Sequence, residues 1–336
     1  MTSIASKFPV PARAGALAGA WGNPWASFAV RRLWRFVVSL WVLITAAFLM
    51  IHLVPGDPVR AALGLTAPAD LVRARRHALG LDDPLLVQYG HYLRGVFSGD
   101  FGTSMTSNLP VSHVIADRLP ATVQIAVLAF AVVLVVSVPV GVGMAVFTRG
   151  GRRRGAELAF TSTSVFLAAI PEFLLAVALV YVFAVKLGWF HVAGRGGPSS
   201  YVLPVLALAI APAAVLARIV RVELLSVLGN DYVRTARAKR LPARLVYVRH
   251  ALPNALTATL TLGGLLLTSL VAGTVLVENV FAWPGLGSTI VQSILQRDYP
   301  LVQGIVLVYG VMVLLVNLAV DVLLAVLDPR STIRES

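Results

Sequence analysis

Long apolar runs separated by shorter polar stretches dominate the chain. Near-continuous hydrophobic residues occupy about 34–54, 121–147, 158–187, 202–220, 255–277 and 301–326. Each is close to or above the ~20 residues that a helix needs to cross ~30 Å of hydrocarbon. The pattern predicts an all-α integral membrane protein with six transmembrane helices. Residues 31–330 form the membrane domain, preceded at 1–30 by an Ala-, Gly- and Pro-rich segment expected to be a disordered cytoplasmic extension. The apolar stretch Phe36–Val54 has the length of a span rather than of a cleaved leader. Between the first two spans, 55–120 is long enough for a small extracytoplasmic helical subdomain. Asp70 is placed to cap one helix there, Asp83-Pro84 to start another, and Gly99 and Gly102 to break it.

Charge sets the expected orientation. Lys7, Arg13, Arg31, Arg32 and Arg35 precede or open the first span without an acid, and Arg149, Arg152, Arg153 and Arg154 lie between the second and third. The opposite connections 188–200 and 279–300 carry only Arg195 and Arg297, and the cations of 55–120 are balanced by aspartates. Cations concentrate on the cytoplasmic side of membrane proteins. Both termini, including the short tail 331–336, are therefore expected in the cytoplasm. The composition agrees, at 58% hydrophobic and 13% charged. The net charge of +13 is confined to particular loops with no aromatic-interleaved basic face, which argues against nucleic acid as a partner. With no cysteine, disulfides and thiolate metal sites are excluded, and the six histidines show no metal-ligand spacing. No metal site and no catalytic residue is expected.

The cytoplasmic loop 221–254 is the most distinctive stretch. From Gly229 it reads GNDYVRTARAKRLPARLVYVRHALP, with Arg234, Arg237, Lys239, Arg240, Arg244 and Arg249 against Asp231. Asn230 or Asp231 can cap a short helix through Lys239, and Pro242 suits the first turn of a second. A basic cytoplasmic loop by itself is unremarkable, but the ordered helix, turn and helix point to a docking element. In the third span, Glu172 follows Pro171, and on a continuous helix from Leu158 it lies ~21 Å along the axis, near the midplane. An intramembrane carboxylate lines a wet cavity or pairs with another helix, and the sequence leaves both readings open. Asn317 and Asp321 share one face of the last span, and Asp321 is a candidate for an interhelical pair with Arg218 or Arg221. Trp283 is expected at the membrane interface, with Pro284-Gly285 enforcing a turn.

The loop resembles the EAA loop of binding-protein-dependent ABC transporter permeases, whose pattern is E-A-A, three residues, Gly, nine residues and I-x-L-P. Arg234, Thr235 and Ala236 stand at the E-A-A positions, Arg240 at the Gly position and His250-Ala251-Leu252-Pro253 at I-x-L-P. The wording DYVRTARAK is similar to the dipeptide/oligopeptide/nickel branch, as are VPGDPV (54–59), LGLDDPLLVQYGHYLRG (79–95), GDFGTS (99–104), DRLPATVQIA (117–126) and NVFAWPGLGS (279–288). Arg240 departs from the pattern. A positive-φ turn there costs a residue with a Cβ ~1 kcal/mol relative to Gly.

The resemblance spans about 31–330 and implies a type I ABC importer permease in the bacterial cytoplasmic (inner) membrane. It implies one half of a translocation pathway for di- or oligopeptides, with nickel or a metal chelate as the alternative cargo. The partners implied are a second homologous permease, two cytoplasmic ATPase subunits carrying ATP and Mg, and an extracytoplasmic substrate-binding protein that docks on 55–120 unless that region is only a lid. The coupling site implied comprises Asp231, Tyr232, Arg234, Thr235, Ala236, Lys239, Arg240 and Leu241, with Glu172 as a candidate on the translocation path. A secondary transporter or channel would show internal repeats, and an intramembrane enzyme a nucleophile–base or metal constellation. Neither pattern occurs, and no G-x-x-x-x-G-K-[S/T] loop exists, so ATP hydrolysis is expected on another chain.

Overall fold

The computed structural model describes residues 24–327 apart from 54–57, 65–66, 79 and 152. All regular structure among the described residues is helical, save one isolated bridge between Thr103 and Pro110. The long helices are α1 (Pro24–Leu53), α5 (Val111–Thr148), α8 (Val202–Val227), α11 (Leu252–Val280) and α13 (Tyr299–Leu327). Short helices α2 (Pro58–Leu63), α3 (Ala69–Ala78) and α4 (Leu85–Ser98) fill the connection after α1. Helices α6 (Arg154–Ala169) and α7 (Glu172–Leu179) follow α5, and α7 continues through a π-helical turn to Lys186. After α8 come α9 (Asp231–Ala238) and α10 (Ala243–Leu245), and α12 (Leu286–Leu295) separates α11 from α13.

Five helices are long and apolar enough to cross a membrane, and a sixth span exists only if α6 and α7 are counted together. These two are bent by 94° at Ile170–Pro171, so the third span is broken rather than gently kinked. Pro171 has extended backbone and no N–H to continue α6, which makes Glu172 the first residue of a new helix. The midplane position reckoned along a continuous helix therefore does not apply. Helix α1 starts at Pro24, inside the segment expected to be disordered. The remainder of that segment, VPGD of the VPGDPV motif and the tail 331–336 lie outside the described residues.

Helices α5 and α8 form the central pair, running parallel. Ile125, Ala129 and Val133 of α5 pack on Leu208, Leu216 and Val220 of α8, with Ala176 of α7 closing the cluster. Small residues let membrane helices approach closely. At Gly141, a Cβ would lie 2.5 Å from the Ala217 carbonyl and 2.6 Å from Val220 Cβ. At one end of this pair the buried Arg221 of α8 donates from Nε to Thr148 Oγ1 of α5 at 3.0 Å and pairs with Glu157 of α6 at 2.8 Å. Arg221 thus ties three helices and is not free for Asp321.

The expected pairing of Asp321 is corrected accordingly. Asp321 pairs with Arg32 of α1 at 2.6 Å rather than with Arg218 or Arg221, because α13 lies against α1. Asn317, one turn earlier, accepts from Thr268 Oγ1 of α11 at 2.8 Å. Each polar residue of that face holds a different neighbour. Toward the other end of α1, Gln303 Nε2 donates to the Ala47 carbonyl at 3.0 Å, and Phe48 meets Tyr89 of α4 edge-on and Tyr92 at a tilt.

Candidate functional site

Helix α9 crosses beneath the bundle at the end where α5 terminates and α8 hands over to α11. Asn230 occupies its N-cap position with extended backbone, but no side-chain bond caps the helix, contrary to expectation. Asp231 Oδ1 instead faces Arg234 at 3.4 Å. Val233 and Ala236, three residues apart and so on one face, are buried against Ala145 of α5, Leu224 and Val227 of α8, and Ala255 of α11. Asp231, Tyr232, Arg234, Thr235, Lys239 and Arg240 are exposed on the other side. Ala236 therefore belongs to the seat of the helix and not to its outward face. Leu241 is half-buried against the same cluster.

The end of α9 is a Schellman motif. Arg240 adopts φ 51°, its N–H donates to the Arg237 carbonyl at 2.9 Å, and the Leu241 N–H reaches the Ala236 carbonyl at 3.4 Å. The position aligned with glycine does use the left-handed conformation, and here an arginine pays for it. Arg237 Nη2 donates to the Leu228 carbonyl at 3.4 Å, while Arg149 Nη1 donates to the Tyr247 hydroxyl at 3.3 Å. Burial, and then the charge of Arg149, hold the Arg237 guanidinium below its ordinary pKa, with Tyr247 acting the other way.

At the opposite end, two buried carboxylates latch loops that the sequence separates widely. Glu278, near the end of α11, receives Thr122 Oγ1 on one oxygen at 2.7 Å and the N–H groups of Gly287 and Ser288 on the other at 2.6 and 3.1 Å. Thr122 Oγ1 accepts from the Leu286 N–H at 2.8 Å. The first three N–H groups of α12 are thus satisfied by side chains of α5 and α11, which a helix start in an apolar setting requires. Trp283 is fully buried within the protein, and its indole donates to the Ala121 carbonyl at 3.1 Å. The second latch is Asp298, which accepts from Ser104 Oγ at 2.5 Å, Met105 N–H at 3.0 Å and Thr106 N–H at 3.3 Å. Neither Glu278 nor Asp298 was singled out by the sequence. The one available signal was the pairing of GDFGTS and RDYP as polar islands between spans.

Glu172 is half-buried at the start of α7, with its carboxylate against Gly273 of α11, where a Cβ would make it shift. A cavity of about 290 Å³ lies between α1, α4 and the start of α13, lined by Phe48, His52, Gln88, Tyr92, Tyr299 and Gln303 among others. Among the described residues, no group of three or more metal-binding side chains comes together.

A multi-pass helical bundle with a cationic helix seated at one end and latched loops at the other has the architecture of a membrane transport subunit. Comparison with known proteins specifies it. Residues 137–333 match the family described as "Binding-protein-dependent transport system inner membrane component", and residues 26–126 match the N-terminal part described for such components. The chain belongs to this family. It is 40% identical over 304 residues to the "Glutathione transport system permease protein GsiC" of Salmonella typhimurium, covering 90% of this chain and 98% of that protein. It is 37% identical over 303 residues to the protein of the same name in Escherichia coli K12, with the same coverage. The fold is shared with the MetNI methionine ABC transporter in inward facing conformations. Two crystal forms give TM-scores of 0.55 and 0.52 at 19% and 22% identity, covering 64% of this chain and 96% of that one. The protein is thus a multi-pass permease subunit of an ABC importer and not an enzyme, the ATPase being a separate subunit. An importer of this kind also works with a binding protein.

Proposed function

We propose that the chain forms half of the translocation pathway of an ATP-driven importer for small peptides. A second, similar permease supplies the other half, two cytoplasmic ATPase subunits bind ATP and Mg, and a binding protein delivers cargo from outside. The reading places both termini, α9 and α10 in the cytoplasm of a bacterium and α2–α4 outside. The peptide class is supported by the relatives named for glutathione transport, since glutathione is itself a small peptide.

The observation that carries the proposal is the seating of α9. Its apolar side touches residues of α5, α8 and α11 in one cluster, so a push on its cationic side reaches all three helices together. The Schellman end and the fixed Arg237 keep the element stiff enough to transmit that push. In this mechanism Asp231, Tyr232, Arg234, Thr235 and Lys239 meet the ATPase, Ala236 and Leu241 anchor the helix, and Arg240 shapes its end. Glu172 stands where the bent third span meets α11 and lines the path.

Reversal of charge on the outward face tests the reading. Arg234→Glu with Thr235→Glu is expected to leave insertion and permease pairing intact while reducing ATPase co-purification and abolishing binding-protein-stimulated hydrolysis in reconstituted vesicles. Wild-type attachment and stimulation in that variant would reduce α9 to a basic anchor. Uptake of labelled dipeptide, glutathione and nickel by the reconstituted complex tests the cargo, and uptake of nickel alone would overturn the peptide class.

A further inference from the structure

The loop between α7 and α8 holds a cation whose charge the fold leaves unmatched. Arg195 Nε donates to the Tyr201 hydroxyl at 2.9 Å and Nη2 to Gln124 Oε1 at 2.8 Å. Tyr201 in turn donates to the same Gln124 oxygen at 2.9 Å and stands edge-on to the buried Trp283 at 4.7 Å. Both acceptors of the guanidinium are neutral, and among the described residues no carboxylate lies within ion-pair distance of it. The side chain is nonetheless exposed and held in one orientation, with its remaining N–H groups free of these two bonds.

Two open clefts meet at this arginine. One, of about 590 Å³, is lined by Leu128, Arg195, Gly197, Pro198 and Tyr201. The other, of about 500 Å³, runs along α5 past Val123, Gln124, Val127 and Leu128. Leu128, Ala131 and Val135 are exposed on the same side of α5 as Gln124 and continue toward Thr148, so the wall beneath the cation is apolar.

The depth of the cluster follows from two helices independently. From Thr148 back to Leu128 on α5, and from Arg221 back to Tyr201 at the N-cap of α8, the rise at 1.5 Å per residue is ~30 Å. That equals the hydrocarbon thickness of a bilayer. With the polar tie of Arg221, Thr148 and Glu157 at one boundary, Arg195, Tyr201 and Gln124 fall at the other. The exposed Trp189 in the same loop suits that level.

We propose that Arg195, set by Tyr201 and Gln124, binds the phosphate of an anionic phospholipid whose acyl chain lies along Leu128, Ala131 and Val135. A fixed guanidinium offers a phosphate paired, charge-assisted hydrogen bonds. The apolar wall directly below explains why the partner is an amphiphile at the membrane boundary rather than a soluble anion.

The test is native mass spectrometry of the assembled importer titrated with phosphatidylglycerol and phosphatidylcholine of identical acyl chains. The wild type is expected to hold the anionic lipid roughly tenfold more tightly, about the effect of one charge-assisted contact. Arg195→Gln should abolish the preference, Arg195→Lys should retain part of it, and Arg94→Gln should leave it unchanged. Val135→Trp fills the wall about three turns inward of Gln124, so a comparable loss of retention there supports the site even where Arg195→Gln accumulates poorly. Equal retention of both lipids by the wild type overturns the proposal, as does an undiminished preference in Arg195→Gln. So does anionic lipid binding to the isolated chain but not to the complex, which would assign the face to the partner permease. A defect of Arg195→Gln confined to uptake of peptides with a free carboxylate would assign the cation to cargo instead.

Discussion

Arg240, Ala282 and Arg297 all have positive φ, at 51°, 44° and 58°, and each ends a helix in the same hydrogen-bond pattern. Left-handed backbone disfavours a side chain with a Cβ, so each of the three gives up stability that glycine would retain. Arg240→Gly is expected to stabilise the purified permease by about 1 kcal/mol in a detergent unfolding titration, and Arg240→Val to destabilise it. A loss of stability in the glycine variant would mean that the arginine side chain itself supports the turn. Tyr92 makes a different point about single residues. Its hydroxyl is buried beside the cavity under α4 with no hydrogen-bond partner among the described residues, and burial, then the neighbouring Tyr89, push its pKa from 10.0 up to about 12. A raised pKa contributes stability that is complete below pH 10 and disappears as pH climbs toward 12. Tyr92→Phe is therefore expected to match or exceed the wild type in thermal midpoint at neutral pH, and to lose less of it across that alkaline window. An identical alkaline loss in both proteins would exclude Tyr92 as a contributor.

At the scale of elements, hydrophobic runs locate the long helices because crossing a membrane is a demand on composition alone. What they leave out is how elements meet. The period of the chain could not distinguish a kink from the 94° break at Pro171, since both satisfy the same apolar run. Nor could it assign Ala236 to the inner side of α9, although Val233 three residues earlier is the signal for an apolar seat. Ala236→Glu is consequently expected to disturb folding of the α9 region itself, with faster protease cleavage near Arg237, rather than only to weaken attachment of a partner. An intact, protease-resistant loop in that variant would contradict the buried seat. The latch at α12 was illegible for a related reason. Its N-terminal N–H groups are satisfied by Glu278 and Thr122, and no local pattern announces partners 156 residues apart. Glu278→Ala removes an acceptor from two N–H groups and should cost about 2–4 kcal/mol, with amide exchange rising over 283–290 first. Unchanged exchange there would show that α12 is held by packing alone.

Over the whole molecule, the two ends of the α5–α8 pair are chemically distinct: the cationic seat of α9 at one and the Glu278 and Asp298 latches at the other. Single cysteines at Ser107 and Thr235, in a chain without native cysteine, should accordingly react from opposite sides of the membrane with an impermeant maleimide. Reaction of both from one side of intact cells would refute the topology. The Asp298 latch also has a consequence for how the protein is made. Ser104 and Asp298 are separated by 194 residues, so the loop 104–106 emerges from the ribosome long before its acceptor exists. At ~5–20 residues per second, that interval is on the order of 10–40 s. During it the Ser104 hydroxyl and the Met105 and Thr106 amides have water or a chaperone as their only alternative to the missing carboxylate. The nascent permease therefore passes through a period in which most of its spans are inserted while this end remains open, and synthesis of a single aspartate near the start of the last helix closes it.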